Sequence, residues 1–283
     1  MKNIFVILIS FLITSVVYAQ PNVIYTDEDL QIFNRYISYI SSSTQLQELD
    51  ELLEKTAFFF LDKPYTPHTL EIENEESVVV NLREFDCTTY IETVVALTQT
   101  VRSQDHSFDN FIKKLEILRY RDGIVDGYGS RLHYFTDWLY ENEKVGVLKN
   151  VTALIGGITE DKQLNFMSTH RNAYSQLKFN DDNLSEILDI EKEIYERCGL
   201  SYIPKSKIVD IDYRIPHMSI IAFTTSINGL DVTHTGFAYQ KDGGLIFIHA
   251  SSAKNKVIID SLSLSEYCNL QKSCTGIIVA KLL

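Results

Sequence analysis

The stretch His234-Thr235-Gly236-Phe237-Ala238-Tyr239-Gln240-Lys241-Asp242-Gly243-Gly244-Leu245-Ile246-Phe247-Ile248-His249-Ala250-Ser251 reads as a β-hairpin. Asp242-Gly243-Gly244 separates two runs rich in apolar, β-branched and aromatic residues, the chemistry of a tight antiparallel turn. With Asp242-Gly243 as the turn, residue 241 pairs with 244, 240 with 245 and 236 with 249. A four-residue loop from Lys241 to Gly244 gives the same register. His249 then faces Gly236, Ser251 faces His234, and the two histidines become diagonal neighbours on one face, roughly 7–8 Å apart by backbone and closer at the rings. Gly236 and Ala238 share that face and leave room for imidazoles. A slip of one residue separates the histidines, because side chains alternate along a strand.

Further strands flank the hairpin: Ser219 to Thr225, Val257 to Asp260 and Gly276 to Leu282, with Asn228-Gly229 as another turn. Upstream the period is helical. Thr26 as N-cap, with Asp29 three residues on, opens a helix to Ile40; Thr44 with Gln47 opens a second, running to about Phe60. Lys63-Pro64-Tyr65-Thr66-Pro67 breaks the pattern, and two extended pieces follow, Thr69 to Ile72 and Val78 to Leu82. From Thr88 onward Ile91, Val94, Val95, Leu97 and Val101 recur at helix spacing. Residues 104–200 read as mainly helical, with interruptions at Asp122-Gly123 and Gly127-Tyr128-Gly129. Helices first and an antiparallel sheet last make an α+β chain.

The 283 residues carry 26 basic and 38 acidic side chains, a net charge of -12. Such a surface argues against binding nucleic acid or an anionic membrane face, both of which need a basic patch. Met1 to Ala19 has one charge, Lys2, then an apolar run from Ile4 to Val17 and a small residue at Ala19. That is the layout of a secretory signal peptide, too short in its apolar run for the ~20 residues of a membrane span. Residues 20–283 are expected as one exported domain, periplasmic and without a transmembrane segment. Of the four cysteines, Cys268 and Cys274 stand six positions apart and are candidates to pair in an oxidising compartment; Cys198 has no evident partner.

Cys87 lies between an extended piece and a helix, at or just before the helix N-terminus. Free backbone N–H groups and the positive end of the helix dipole stabilise a thiolate there, and the same N–H groups suit an oxyanion hole. A lone cysteine is more often a small buried hydrophobe. His234 and His249 on one face also suit a metal, but no Cys-x-x-Cys or His-x-x-x-His spacing supports zinc and a third ligand is wanting. A thiol activated by one imidazole, itself oriented by the other, is the simpler construction.

These residues resemble the NlpC/P60 cysteine peptidase superfamily. Leu61-Asp62-Lys63-Pro64-Tyr65 is similar to its Leu-Gly-x-Pro-Tyr stretch and Asp86-Cys87-Thr88-Thr89 to its Asp-Cys-Ser-Gly nucleophile turn. His234-Thr235-Gly236-Phe237-Ala238-Tyr239 resembles its His-Val-Gly-Ile-Tyr strand and Ile248-His249-Ala250 its Ile-His-Ala, all in family order. The N-acetylmuramoyl-L-alanine amidase-like branch is the nearer match, through Asn81 to Thr89, Arg131 to Trp138, Asn165 to Arg171 and Asp231 to His234. Met218-Ser219 stands where the family has Gly-Asp, which leaves that turn's geometry open, and Pro67-His68 lies near the place of its missing Gly-Gly, a change expected to reshape one wall of the cleft.

The resemblance implies a papain-like core, a nucleophile helix packed on an antiparallel sheet, with N-terminal helices and a helical insertion at about 104–200 that narrows the cleft. It implies Cys87 as nucleophile, His234 as general base and His249 as the group that orients it. It places Tyr65 beside the oxyanion or substrate backbone, and Asp86 and Thr88 against the stem peptide, although helix capping explains these two equally well. No metal or cofactor is implied. The implied substrate is peptidoglycan or its fragments, cut between N-acetylmuramic acid, in its anhydro form as one option, and L-Ala. The acidic surface favours small fragments over the anionic wall. Two rivals remain: cleavage between γ-D-Glu and the diamino acid, and a non-catalytic wall-binding module. Arg131, His133, Tyr134, His170 and Arg171 in the insertion read as packing and surface ion pairs rather than as site residues.

Overall fold

Lys241 pairs with Gly244, Gln240 with Leu245 and Phe237 with Ile248 in the computed structural model, the register expected from the hairpin sequence. The structure describes residues 22–41, 48–71, 75–197, 199–241 and 243–283. The leader 1–19, the Thr44 and Gln47 capping box, Cys198 and the turn residue Asp242 lie outside the described residues.

In chain order, strand β1 (Val23–Ile24) leads to helices α1 (Asp27–Ser41) and α2 (Leu49–Phe59), strand β2 (Val78–Val79), and helices α3 (Cys87–Arg102) and α4 (Phe108–Arg119). Then come α5 (Phe135–Lys144), β3 (Leu148–Asn150), β4 (Ile158–Glu160), α6 (Phe166–Thr169), α7 (Ser175–Lys178), α8 (Asp181–Glu196) and β5 (Leu200–Pro204). The last part holds α9 (Ile208–Ile211), β6 (Ile220–Thr225), the hairpin β7 (Val232–Lys241) and β8 (Gly244–Ser251), β9 (Lys256–Ile259), α10 (Leu264–Leu270) and β10 (Cys274–Leu282). Among the described residues β3 to β10 form one antiparallel sheet of eight strands. Its order is β4-β5-β10-β6-β7-β8-β9, with β3 paired to the end of β10; β1 and β2 pair in parallel apart from it. No helix among the described residues is long and apolar enough to cross a membrane.

Strand alternation gives the sheet two faces with separate cores. Ile220, Ala222, Phe237, Ile248 and Ile278 pack with residues of α1 to α5, among them Ile32, Leu53, Ile91, Phe111 and Trp138. Ile221, Phe223, Ala238, Phe247 and Ile277 pack with Ile208 of α9 and Leu264 and Cys268 of α10. Helix α3 is almost wholly enclosed, so its polar groups need internal partners. Glu92 meets Arg119 of α4 at 2.8 Å, each only 3% exposed, and Arg119 also donates to the Val79 carbonyl at 2.7 Å.

Two local expectations are corrected. The piece from Thr69 begins as a turn spanning residues 67–70 rather than a strand, because His68 takes the left-handed φ of 61°. The segment 104–200 is helical for most of its length, but three-residue β3 and β4 join the main sheet through β10 and β5. Strands this short carry no period of their own; the neighbouring strand defines them.

The positions of the glycine replacements keep a glycine-like backbone. Asp62 has φ 66°, His68 φ 61° and Met218 φ 55°. The left-handed region costs a side-chain-bearing residue about 1–2 kcal/mol. Met218 is 1% exposed, and burying a Met side chain contributes roughly 1.5–3 kcal/mol, enough to offset the strain. His68 is exposed and has no such compensation. Urea denaturation is therefore expected to show His68→Gly stabilising by up to about 1 kcal/mol and Met218→Gly destabilising. The same sign for both contradicts the assignment.

Candidate active site

The loop before Cys87 is fixed by two carbonyl-bearing side chains. Asn81 Oδ1 accepts from the N–H groups of Arg83 and Glu84 at 3.1 and 3.3 Å. Buried Asp29 accepts from Leu82 N–H at 2.8 Å and Arg83 Nε at 3.1 Å while its other oxygen completes the α1 cap with Thr26. Asp86 then caps α3. Its Oδ1 accepts from Thr88 N–H at 3.0 Å and Thr89 N–H at 2.8 Å, and the Thr89 hydroxyl accepts from Asp86 N–H at 2.9 Å. Cys87 becomes the first helical residue, and its own N–H is the first-turn donor that the cap does not use.

Tyr65 is clipped beside this turn. Phe85 N–H donates to Pro64 O and Thr66 N–H to Phe85 O, both at 3.0 Å, while Tyr65 N–H donates to Asn255 O at 3.0 Å. From β7, the Thr235 hydroxyl donates to the Cys87 carbonyl at 2.9 Å, docking the helix start on the strand that carries His234.

The hairpin brings the histidines together. His234 Nε2 lies 2.5 Å from His249 Nδ1, with the rings nearly perpendicular at 87°. Gly236 permits this approach: a Cβ there would fall 2.8 Å from Ile248 O and 3.1 Å from His249 Cβ. His249, 1% exposed, sets its Nε2 3.2 Å from Asp260 Oδ2. A carboxylate only accepts, so His249 Nε2 carries the proton and its Nδ1 keeps a lone pair. His234 must then donate through Nε2–H, which leaves its Nδ1 as the free base. Asp260 is the residue that sequence reading missed; it lies just beyond β9, where the pairing of His249 with Ile258 returns it to the His249 face.

A cavity of about 120 Å³ is lined by Cys87, Thr88, Thr233, His234, Thr235 and Asp231, with Leu132, His133, Phe135 and Trp138 of the insertion as its wall. Asp231 ties the two sides together, accepting from Thr136 N–H and hydroxyl at 2.8 and 2.9 Å, at the start of α5. Asn165 and Phe166 N–H groups both donate to Gly229 O at 3.0 Å, where φ is 75° and any Cβ would strike Asn165. The insertion stretches that carried the resemblance thus brace the connection into β7. A larger cavity of about 200 Å³ is bordered by α5, α8, β3 and β5 and touches none of the expected site residues.

Of the five polar insertion residues, four are spent on packing. Arg131 pairs with Glu71 at 2.8 Å, Tyr134 donates to Glu191 at 2.7 Å, His170 stacks on Phe166, and Arg171 holds Leu177 O and Asp181. His133 is the exception, lining the cavity with Nε2 2.8 Å from Tyr128 O. Asp86 serves as the helix cap, and Thr88 lines the cavity beside Cys87. Cys268 and Cys274 are disulfide-bonded.

Burial governs the titration of the site. It pushes the Cys87 thiol up to about 11, helped by the negative charge of Asp86 and opposed by hydrogen bonds from Thr235 and Thr88. It raises Tyr65 to about 12, with Cys87 and Asp86 adding to the effect. It lowers His234 to about 4 and His249 to about 2, the latter also through His234. His133 falls to about 3 by burial and the nearby Arg131 charge. The shifts of Cys87 and His234 both favour the uncharged thiol and the uncharged imidazole.

These histidines make stability depend on pH. Each is protonated below about 6.5 in the unfolded chain, but only well below that in the fold. The unfolded state therefore binds more protons in this window, and stability falls as pH drops. The melting temperature is expected to decline from pH 7 to 4.5, with proton uptake on unfolding. A flat profile across that range contradicts neutral burial.

Residues 55–277 match the AmiA-like family, described as N-acetylmuramoyl-L-alanine amidase-like. A crystal structure of an N-acetylmuramoyl-L-alanine amidase from Bacteroides uniformis ATCC 8492 is 37% identical, with a TM-score of 0.77, covering 81% of this chain and 98% of that one. A Bacteroides fragilis protein with a provisional xylanase name is also 37% identical, with a TM-score of 0.76, over 81% of this chain and 99% of its own. A Legionella pneumophila protein shares the fold at 21% identity, with a TM-score of 0.70 over 90% and 94% of the two chains. No curated protein matches the sequence.

Proposed function

The chain belongs to the N-acetylmuramoyl-L-alanine amidase-like family, and on that premise we propose that it is an exported cysteine amidase hydrolysing the bond between N-acetylmuramic acid, including its anhydro form, and L-Ala in peptidoglycan fragments. Residues 20–283 act as one papain-like NlpC/P60 domain, with the segment at about 104–200 inserted as a cleft wall. The observation that carries the reading is the relay from His234 through His249 to Asp260, ending in a cavity shared with Cys87.

Cys87 Sγ attacks the lactyl carbonyl carbon while His234 Nδ1 takes the thiol proton. The resulting imidazolium donates through Nε2 to His249, whose Nε2–H is held by Asp260. Developing charge on the carbonyl oxygen is met by Cys87 N–H and the Tyr65 hydroxyl. When the tetrahedral species collapses, the C–N bond breaks and His234 returns the proton to the amine of L-Ala. A thioester remains. Water, deprotonated by His234, attacks it and releases the lactyl carboxylate and the thiol. Thr88 and the free edge of Asp86 border the stem peptide.

Export is supported by the Met1 to Ala19 leader and by the Cys268–Cys274 disulfide, which persists in oxidising compartments. The net charge of -12 favours small fragments over adhesion to an anionic wall.

Mass spectrometry of digested muropeptides tests the reading. The wild type is expected to release an intact stem peptide and a sugar bearing a lactyl carboxylate, and Cys87→Ala to lose at least about 10³-fold in rate. Released L-Ala-D-Glu assigns the endopeptidase bond instead, and behaviour unchanged in Cys87→Ala assigns a non-catalytic module.

The pH profile gives a second test. Because His234 works as a neutral base, kcat/KM is expected to hold through neutrality and fall on the acid side near pH 4. An acid limb at the ordinary imidazole value of about 6.5 contradicts a desolvated base.

A further inference from the structure

Tyr267 belongs to none of the sequence motifs, yet its ring sits against both imidazoles. Ring centroids lie 5.7 Å from His234 and 5.7 Å from His249, and 4.9 and 4.6 Å from Phe223 and Phe247. Phe223 and Phe247 are carried by β6 and β8, within the sheet. Tyr267 instead comes from the seven-residue α10, far shorter than the ~12–15 residues at which an isolated helix becomes marginally stable. Its hold must come from outside. Ser263 and Glu266 form a capping box, Leu264 is buried, and Cys268, adjacent to Tyr267, is bonded to Cys274 at the start of β10. Cys274 in turn pairs with Thr225 of β6, the strand of Phe223.

We propose that Tyr267 is a positioning residue for the catalytic histidines: its ring closes their face against water and fixes the angle of the His234–His249 hydrogen bond, and the Cys268–Cys274 disulfide holds it in place. The inference rests on the cysteine-amidase reading above.

The perpendicular geometry of the two imidazoles survives only while neither ring can turn. Phe247 stacks on His249 at 4.2 Å and Phe223 lies 6.1 Å from His234, so the sheet restrains one side of each. Phe247 also meets His234, edge-on at 6.2 Å, and Tyr267 is the ring that meets both imidazoles from outside the sheet. Removing its ring opens a void beside two desolvated imidazoles, and water entering there stabilises their charged forms. His234 meets His249 and Tyr267 through its ring, shares its cavity with Cys87, His133 and Asp231, and has Asp260 beyond His249. His249 and His133 titrate below His234, and Cys87 and Tyr267 far above it, so none of these four sets the acid limb.

The experiment compares wild type, Tyr267→Phe, Tyr267→Leu, Tyr267→Ala and the Cys268→Ser/Cys274→Ser double variant. Muropeptide turnover is followed across pH, and His234 is titrated by NMR. Tyr267→Phe is expected to match wild type. Tyr267→Ala is expected to lose about tenfold or more in kcat with KM nearly unchanged, and to move both the acid limb and the His234 titration upward by about one pH unit or more. Tyr267→Leu and the double Ser variant shift in the same direction by less. A wild-type titration in Tyr267→Ala and Tyr267→Leu, an unchanged double Ser variant, or equal loss in Tyr267→Phe and Tyr267→Ala overturns the inference. The NMR arm needs no turnover, so absence of Cys87-dependent hydrolysis would sink the amidase reading while leaving the role of Tyr267 separately decided.

Discussion

The 2.5 Å hydrogen bond between His234 Nε2 and His249 Nδ1 exists in one register of one hairpin. Moving β7 by a single residue turns His234 to the opposite face, toward the core that holds α1 to α5. Three features lock that register. The turn pairs Lys241 with Gly244, Gly236 admits the close approach of β8, and β6 sets Phe223 opposite His234 with an irregularity one residue later. The same hairpin presents Thr235 to the Cys87 carbonyl. One pairing therefore determines the orientation of His234, the docking of the helix that begins at Cys87 and the placement of the aromatic rings packed on the imidazoles.

What the sequence made legible was local. The Thr26 and Asp29 cap, the start of α3 at Cys87 and the hairpin register each depend on residues within a few positions of one another. Asp260 and Tyr267 stayed hidden because their meaning depends on partners from other elements, whereas Cys268 and Cys274 were legible as a candidate pair and only their geometry waited on the fold. Asp260 was visible as the end of a strand, but its face depends on how β9 aligns with β8. That alignment follows from a turn closed by Asn255 in the left-handed region, which the sequence does not announce. The strands β3 and β4 were missed for the same reason: β10 and β5 supply their identity.

The replaced glycines are a second case. At His68 and Met218 the departure from the family pattern suggested altered geometry, yet the backbone keeps positive φ at both, as it does at Asp62. Asp tolerates this conformation better than most residues, and Met218 is compensated by burial. The insertion, read as a cleft wall, also has a structural duty. Thr136 and the Asn165 turn hold Asp231 and Gly229, so the connection into β7 is braced on both sides just before His234.

The central claim is a direction of proton donation: Asp260 fixes His249, and His249 fixes His234 with a bare Nδ1. Nitrogen-15 NMR of the imidazoles at pH 7 measures this directly. Both rings are expected to be neutral, each protonated on Nε2. A His234 ring protonated on Nδ1, or an imidazolium at that pH, would contradict it.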